Sequence, residues 1–203
     1  MKATFLSITR SHSVRRTPHV LALASVVVLG FSAAACGGPS SSTPSSVNDL
    51  ITAGLRAQAN GDLTTALNDY KSAVAQDPHN KFAYYDLGLV QQLMAQPTSA
   101  EQNYRAALQL DPNFVAALYN LAILRTTPSP SEAEELYRHV ISLQPSDAAA
   151  HLNLGFLLLA ENRTPEGDTE LNTAVQLDPT LASRIPPGTL ATPEPPTPSP
   201  THR

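Results

Sequence analysis

The sequence predicts an all-α fold, a solenoid of about four helix-turn-helix units with eight helices, over residues 47–181. Three observations carry that expectation. The strings AVAQDPHN, ALQLDPNF, VISLQPSD and AVQLDPTL recur and set Pro78, Pro112, Pro145 and Pro179 at intervals of 34, 33 and 34. Self-similarity at such a period marks stacked supersecondary units that bury a shared core. A small residue, in turn Gly54, Gly88, Ala122 and Gly155, returns at one register of each unit. Glycine inside a helix costs about 1 kcal/mol relative to alanine, so its return at one register argues for close helix approach. Apolar residues also fall at helical spacing, as in Leu118, Leu121, Ala122 and Leu124, followed by Ala133, Leu136, Tyr137 and Val140.

From the N-terminus, residues 1–35 read as a signal peptide. Lys2, Arg10, Arg15 and Arg16 are the only charges before Asp49, and an apolar stretch of 16 residues, Val20 to Ala35, follows them. That is short of the roughly 20 residues a membrane-spanning helix needs, and it ends in small residues as a cleavage region does. An uncleaved N-terminal anchor helix is the alternative. Arg15-Arg16 belongs to the basic start, because Thr17-Pro18-His19 follows where a twin-arginine signal carries apolar residues. Cys36 is the only cysteine, so no internal disulfide supports the fold, and Gly37-Gly38-Pro39 beside it offers no core. The stretch Ala33-Ala34-Ala35-Cys36 resembles a bacterial lipobox, with Ala33 in place of the usual leucine. The resemblance implies that the Cys36 thiol takes a diacylglyceryl group and that cleavage falls in front of it. Two acyl chains give stable anchoring where one is marginal. Residues 36–46 then form the lipidated cysteine and a Gly/Ser/Pro linker, which for ten residues spans roughly 20 Å.

The units are expected at 47–80, 81–114, 115–147 and 148–181. Each proline ends a second helix, where its missing N–H and its ring break the ladder. Ser129-Pro130-Ser131-Glu132 has the form of a capping box with proline at the first helical place. The unit one residue short loses it between Ala122 and Ala133, and the turn segment TTPSPS is its expected place, since a deletion inside a helix would rotate the apolar face by about 100°. The short segment Leu181 to Ile185 is expected to cap the last unit. Residues 182–203 form a Pro-rich tail expected to be disordered or polyproline-like.

These units are similar to the tetratricopeptide repeat. Its Leu-Gly step stands at Ala53-Gly54, Leu87-Gly88, Leu121-Ala122 and Leu154-Gly155. Its A-x3-F pattern stands at Ala66 with Tyr70, Ala100 with Tyr104 and Ala133 with Tyr137, and more weakly at Gly167 with Leu171. The family's tyrosine after the Leu-Gly step is replaced by Ala57, Gln91, Arg125 and Leu158. The resemblance implies that the first helices of successive units line a concave groove for a protein or peptide partner. On these helical faces the lining is Ile51, Leu55, Phe82, Tyr85, Leu89, Tyr119, Asn120, Ile123, Leu152, Asn153 and Phe156, with Asp86 at the register of the two asparagines. Packing of helix on helix is the competing role for any of these. The family's carboxylate clamp is not matched, because Ile51 and Leu55 stand where its polar residues belong.

Composition excludes other classes. The chain has 13 Lys+Arg against 17 Asp+Glu, and removing the four basic residues before Asp49 leaves nine against seventeen. A body of that sign opposes nucleic acid, whose phosphates need clustered cations. No G-x-S-x-G, H-E-x-x-H or glycine-rich phosphate loop occurs, so no enzyme, catalytic residue or cofactor is expected. His79, His139 and His151 lack metal-ligand spacing, and His151 occupies a packing place. Glu132, Glu134, Glu135, Glu166, Asp168 and Glu170 fall near second-helix starts, where acids suit the helix dipole, and read as a solvated face. The sequence thus points to a lipid-anchored scaffold on the extracytoplasmic face of a cell membrane. The alternative is an envelope-associated structural protein whose acidic surface binds cationic peptide or cell-wall material.

Overall fold

The computed structural model describes residues 46–189. Helices pair in chain order: α1 (Val47–Ala59) with α2 (Leu63–Gln76), α3 (Lys81–Leu93) with α4 (Pro97–Leu110), α5 (Val115–Arg125) with α6 (Pro130–Leu143), and α7 (Ala148–Ala160) with α8 (Thr164–Leu177). A 3-10 helix, Pro179–Arg184, closes the array. No strand occurs among the described residues. The sequence N-terminal to Ser46, with the proposed signal and Cys36, and the tail from residue 190 lie outside them. No described helix is long and apolar enough to cross a membrane.

Local chemistry sets the helix ends. Ser46 and Asp49 form a reciprocal capping box on α1, and Asp62, Asn80 and Asp147 accept from backbone N–H groups at the starts of α2, α3 and α7. Proline in the first turn starts α4, α6 and α8. The expected box at Ser129 does not form: its side chain makes no capping bond. Glu132 is instead drawn outward by Arg105 at 2.6 Å and Arg125 at 2.6 Å, charge-assisted bonds stronger than a neutral cap.

The missing residue is also taken up differently. α5 has 11 residues where α1, α3 and α7 have 13, and the turn after it, residues 126–129, is the longer one. The other within-pair turns reverse through a left-handed residue, Gly61, Ala95 or Asn162. Thr126-Thr127-Pro128 resists that conformation, since β-branching and the proline ring exclude it. The helix therefore stops early, beyond Leu121 and Ala122, and its apolar face is preserved.

Packing explains the small residues. A Cβ built on Gly54 would lie 2.6 Å from the Tyr70 ring, one on Gly88 2.8 Å from Tyr104, and one on Gly155 2.7 Å from Leu171. Each ring or branched side chain is fully buried against the opposite backbone. The Tyr70 and Tyr104 hydroxyls donate outward, to Gln58 Oε1 at 3.1 Å and Gln92 Oε1 at 2.8 Å. In the last unit Ile185, from the segment after the 3-10 helix, is buried with Leu152, Leu171 and Ala174, so the expected cap is in place.

The acidic starts of the second helices are only in part a solvated face: Glu135 and Glu166 are exposed, whereas Glu132, Glu134, Asp168 and Glu170 are half-buried. Glu101, Arg105, Glu132 and Arg125 close a ring of ion pairs joining α4 to α5 and α6. Glu134, Arg138, Glu166 and Arg163 close another ring, joining α6 to the turn before α8 and to α8 itself. Burial pushes the Glu132 carboxyl up, but hydrogen bonds from Arg105 and Arg125 outweigh it and hold it below its ordinary range.

Two outcomes follow. Gly88→Val should cost about 2–3 kcal/mol in urea unfolding, through overpacking against Tyr104. Glu132→Gln should lower the melting temperature at neutral pH. Its folded value lies below the ordinary 4.5, so the stabilisation is present above that value and is lost as pH falls through the lower folded one. In a thermal series the variant and the parent should converge in acid.

Candidate peptide-binding groove

The stacking decides which face is inner. α1 touches α3 and α3 touches α5 directly, whereas no two second helices meet to that extent. The array therefore curves with its first helices on the concave side. Along that side residues 35 or 34 apart interlock. Asn120 Nδ2 donates to the Tyr85 hydroxyl at 3.1 Å, and Asn153 Nδ2 donates to the Tyr119 hydroxyl at 2.8 Å. Each bond crosses from one unit to the next and fixes the rotamers on both sides; the Asn120–Tyr85 pair leaves an amide oxygen, a second amide hydrogen and a phenolic proton for other use, whereas Asn153 also reaches the Tyr137 hydroxyl.

The predicted lining residues divide into three groups. Leu55, Phe82 and Ile123 are exposed large apolar residues, at 48%, 53% and 38%. Ile51, Tyr85, Leu89, Tyr119, Asn120, Asn153 and Phe156 are half-buried. Leu152 is the correction: it is wholly buried against Leu171, Ala174 and Ile185. It shares the register of Tyr85 and Tyr119, but the segment after α8, with Ile185, folds over the position. His151 beside it is a core residue, with Nδ1 2.6 Å from Glu170 Oε2 and Nε2 3.1 Å from the Pro145 carbonyl.

Two clefts of about 750 Å³ each gather six of these residues. One contains Tyr119, Ile123, Asn153 and Phe156; the other contains Tyr85, Tyr119 and Asn120. Ile51, Leu55 and Leu89 line neither of them. Phe82 sits at the N-terminal ends of α3 and α5, edge-on to Phe114 at 5.4 Å. Phe114 also meets the Tyr85 ring at 5.2 Å, and Lys81, paired with Asp111, lies 5.1 Å from both phenylalanine rings.

Phe114 and Arg184 are lining residues that the sequence did not supply. A signal existed for the first. Phe114 occupies the N-cap place that Asn80 and Asp147 hold in the neighbouring units, and α5 accordingly lacks a side-chain cap. An aromatic at a capping position marks a residue kept for packing or contact. Arg184 comes from the closing 3-10 helix, whose placement no repeat pattern encodes.

The family comparison agrees with this geometry. Residues 51–91 match one profile described as tetratricopeptide repeat, and residues 83–114 match a second. Residues 51–114 are tetratricopeptide repeats. Solved repeat structures share the fold over more of the chain. MamA from Desulfovibrio magneticus RS-1 gives a TM-score of 0.62 at 21% identity, over 66% of this chain and 76% of that one. YrrB, a TPR protein with an unusual peptide-binding site, gives 0.60 at 19% identity, over 68% and 75%. The first TPR of Spaghetti (RPAP3), bound to the HSP90 peptide SRMEEVD, gives 0.56 at 19%, over 59% and 95%. At these identities the likeness concerns the fold. No curated protein matches the chain.

One member of the concave register differs chemically. Asp86 stands where the next units carry Asn120 and Asn153, and Ile51 stands where a tyrosine would have met it. Among the described residues it forms no hydrogen bond or ion pair. Tyr70, Tyr85 and Tyr104 are the titratable groups that feel its charge. Burial alone pushes its carboxyl up to about 6.

That shift has a measurable sign. The folded value lies above the ordinary 3.8, so the folded state holds the extra proton between the two and stability falls as pH rises through that window. Asp86→Asn should therefore melt higher than the parent at pH 7. The gap should close as the pH approaches 3.8.

Proposed function

We propose that the protein is a membrane-tethered, extracytoplasmic scaffold that holds an extended or helical segment of a partner protein against its first helices. The observation that carries the reading is the concave wall itself. Half-exposed aromatic and aliphatic side chains flank clefts of about 750 Å³, and tyrosine–asparagine pairs already fixed across units supply polar groups at regular spacing. Apolar anchors in a desolvated pocket supply most of the energy of such contacts, and hydrogen-bonding groups set register. Two of the structural neighbours support the reading, since one is bound to a peptide and the other has a peptide-binding site. The tether rests on the sequence: a basic start, an apolar stretch, and Cys36 after three alanines.

The groove and the tether separate experimentally. Crosslinking and pull-down from membranes with the native chain should recover a partner that the Tyr85→Ala/Phe156→Ala variant loses; unchanged recovery contradicts the groove. Apolar groove binding should survive high salt, whereas attraction to the acidic surface should fade. Cys36→Ala should leave the repeats folded while abolishing lipid labelling and membrane retention. Retention by that variant would favour an uncleaved anchor helix.

A further inference from the structure

We infer that the groove selects a partner segment bearing a basic side chain, a lysine or an arginine beside apolar residues, and that this cation pairs with Asp86. The inference rests on the groove reading above and specifies the chemistry of its occupant.

The argument is one of unfilled valence. The concave register holds three polar positions in α3, α5 and α7: Asp86, Asn120 and Asn153. Two are satisfied within the chain, each bonded to the tyrosine of the preceding unit. The third is a carboxylate, half-buried and without a donor among the described residues. The Tyr70 and Tyr104 hydroxyl protons go to Gln58 and Gln92, and the Tyr85 hydroxyl, which accepts from Asn120, makes no hydrogen bond to Asp86. Of the cations on α1, α3 and α5, Lys81 is committed to Asp111 and Arg125 to Glu101 and Glu132, while Arg56 on α1 forms no ion pair with Asp86. A neutral amide serves this register elsewhere, so bonding to a partner's backbone does not need an acid here. What an ionised carboxylate adds is charge, and the complement of a partly desolvated, unpaired anion is a cation. Leu55 and Leu89, at one register of α1 and α3 and less than one turn along from the Asp86 register, are exposed and half-buried apolar residues, so the basic residue is expected within an apolar context rather than in a run of charge. Only donors complete an ionised carboxylate. The neutralised pair would then replace the penalty that the free groove carries.

The test uses the full-length chain in detergent and a bead-bound random peptide library, N-acetylated and C-amidated so that terminal charges play no part. Pools retained by the native chain should be enriched in lysine or arginine next to apolar residues. Asp86→Asn, which installs the residue already present at this register in the next two units, should keep the apolar enrichment and lose the basic one. A peptide taken from the native pool should bind Asp86→Asn about tenfold more weakly or worse. Replacing its basic residue with norleucine should remove that difference, as a double-mutant cycle requires. Apolar enrichment without any basic preference in the native pool overturns the inference and leaves the groove intact. Basic enrichment that persists in Asp86→Asn also overturns it, assigning the preference to the general acidic surface. Enrichment unaffected by Tyr85→Ala/Phe156→Ala sinks the groove reading itself. Unchanged circular dichroism and an equal or higher melting temperature for Asp86→Asn exclude misfolding as the cause of a lost preference.

Discussion

Each helix pair depends on one contact, the large side chain of its second helix seated on a small residue of its first. Tyr70 on Gly54 and Tyr104 on Gly88 bring helix axes close enough that a single methyl group would collide with the ring. Ala122 with Tyr137 and Gly155 with Leu171 carry the same arrangement along the array. Because the first helix spends its small residue on its own partner, its remaining faces are free to contact the next unit and to form the concave wall. The proposed function of that wall thus depends on the packing behind it. Rotating α3, α5 or α7 by one residue would turn Tyr85, Tyr119 and Asn120, or Asn153 away from the mate in the neighbouring unit.

Charge is divided between the two sides of the array. The second-helix side holds two closed rings of arginine and glutamate that tie unit to unit. Networks of this kind outweigh isolated surface pairs, whose contribution is close to zero. The junction of the first two units has no such ring, because Leu67 and Gln91 stand where Glu101 and Arg125 stand one unit later. Apolar contact among Leu67, Val74, Leu87, Val90 and Met94 packs that junction. The groove side carries charge as well, with Lys81, Asp111, Asp147, Glu161 and Arg184 lining its clefts. Asp86 is a half-buried carboxylate there without a hydrogen bond or ion pair among the described residues.

Much of the fold was legible because it repeats. Period, small-residue register and apolar spacing each describe a relation between a residue and its copy in the next unit, and such relations survive in the one-dimensional string. What was not legible is whatever breaks the repeat. Leu152 followed the register of Tyr85 and Tyr119, yet it is buried, because at the end of the array the C-terminal segment occupies the place of a further unit. Glu132 had the spacing of a capping residue but is claimed by arginines 27 and 7 residues away in sequence. The shortened unit lost its residue from a helix end rather than from the turn, since threonine and proline could not make the left-handed reversal the other turns use. Of the groove, the asparagines were visible as a register but not as partners of the tyrosines one unit back. Asp86 was visible as a member of that register, and only its environment shows it to be unmatched.

On the proposed function, partners contact the first helices and not the second. Photo-crosslinking side chains placed one at a time at Leu89 and Ile123 on the concave side, and at Gln102 and Glu135 on the exposed second helices, test it in intact membranes. The account predicts that the same partner adduct forms from both concave positions and from neither position on the second helices. Adducts of equal yield from Gln102 or Glu135 would contradict it.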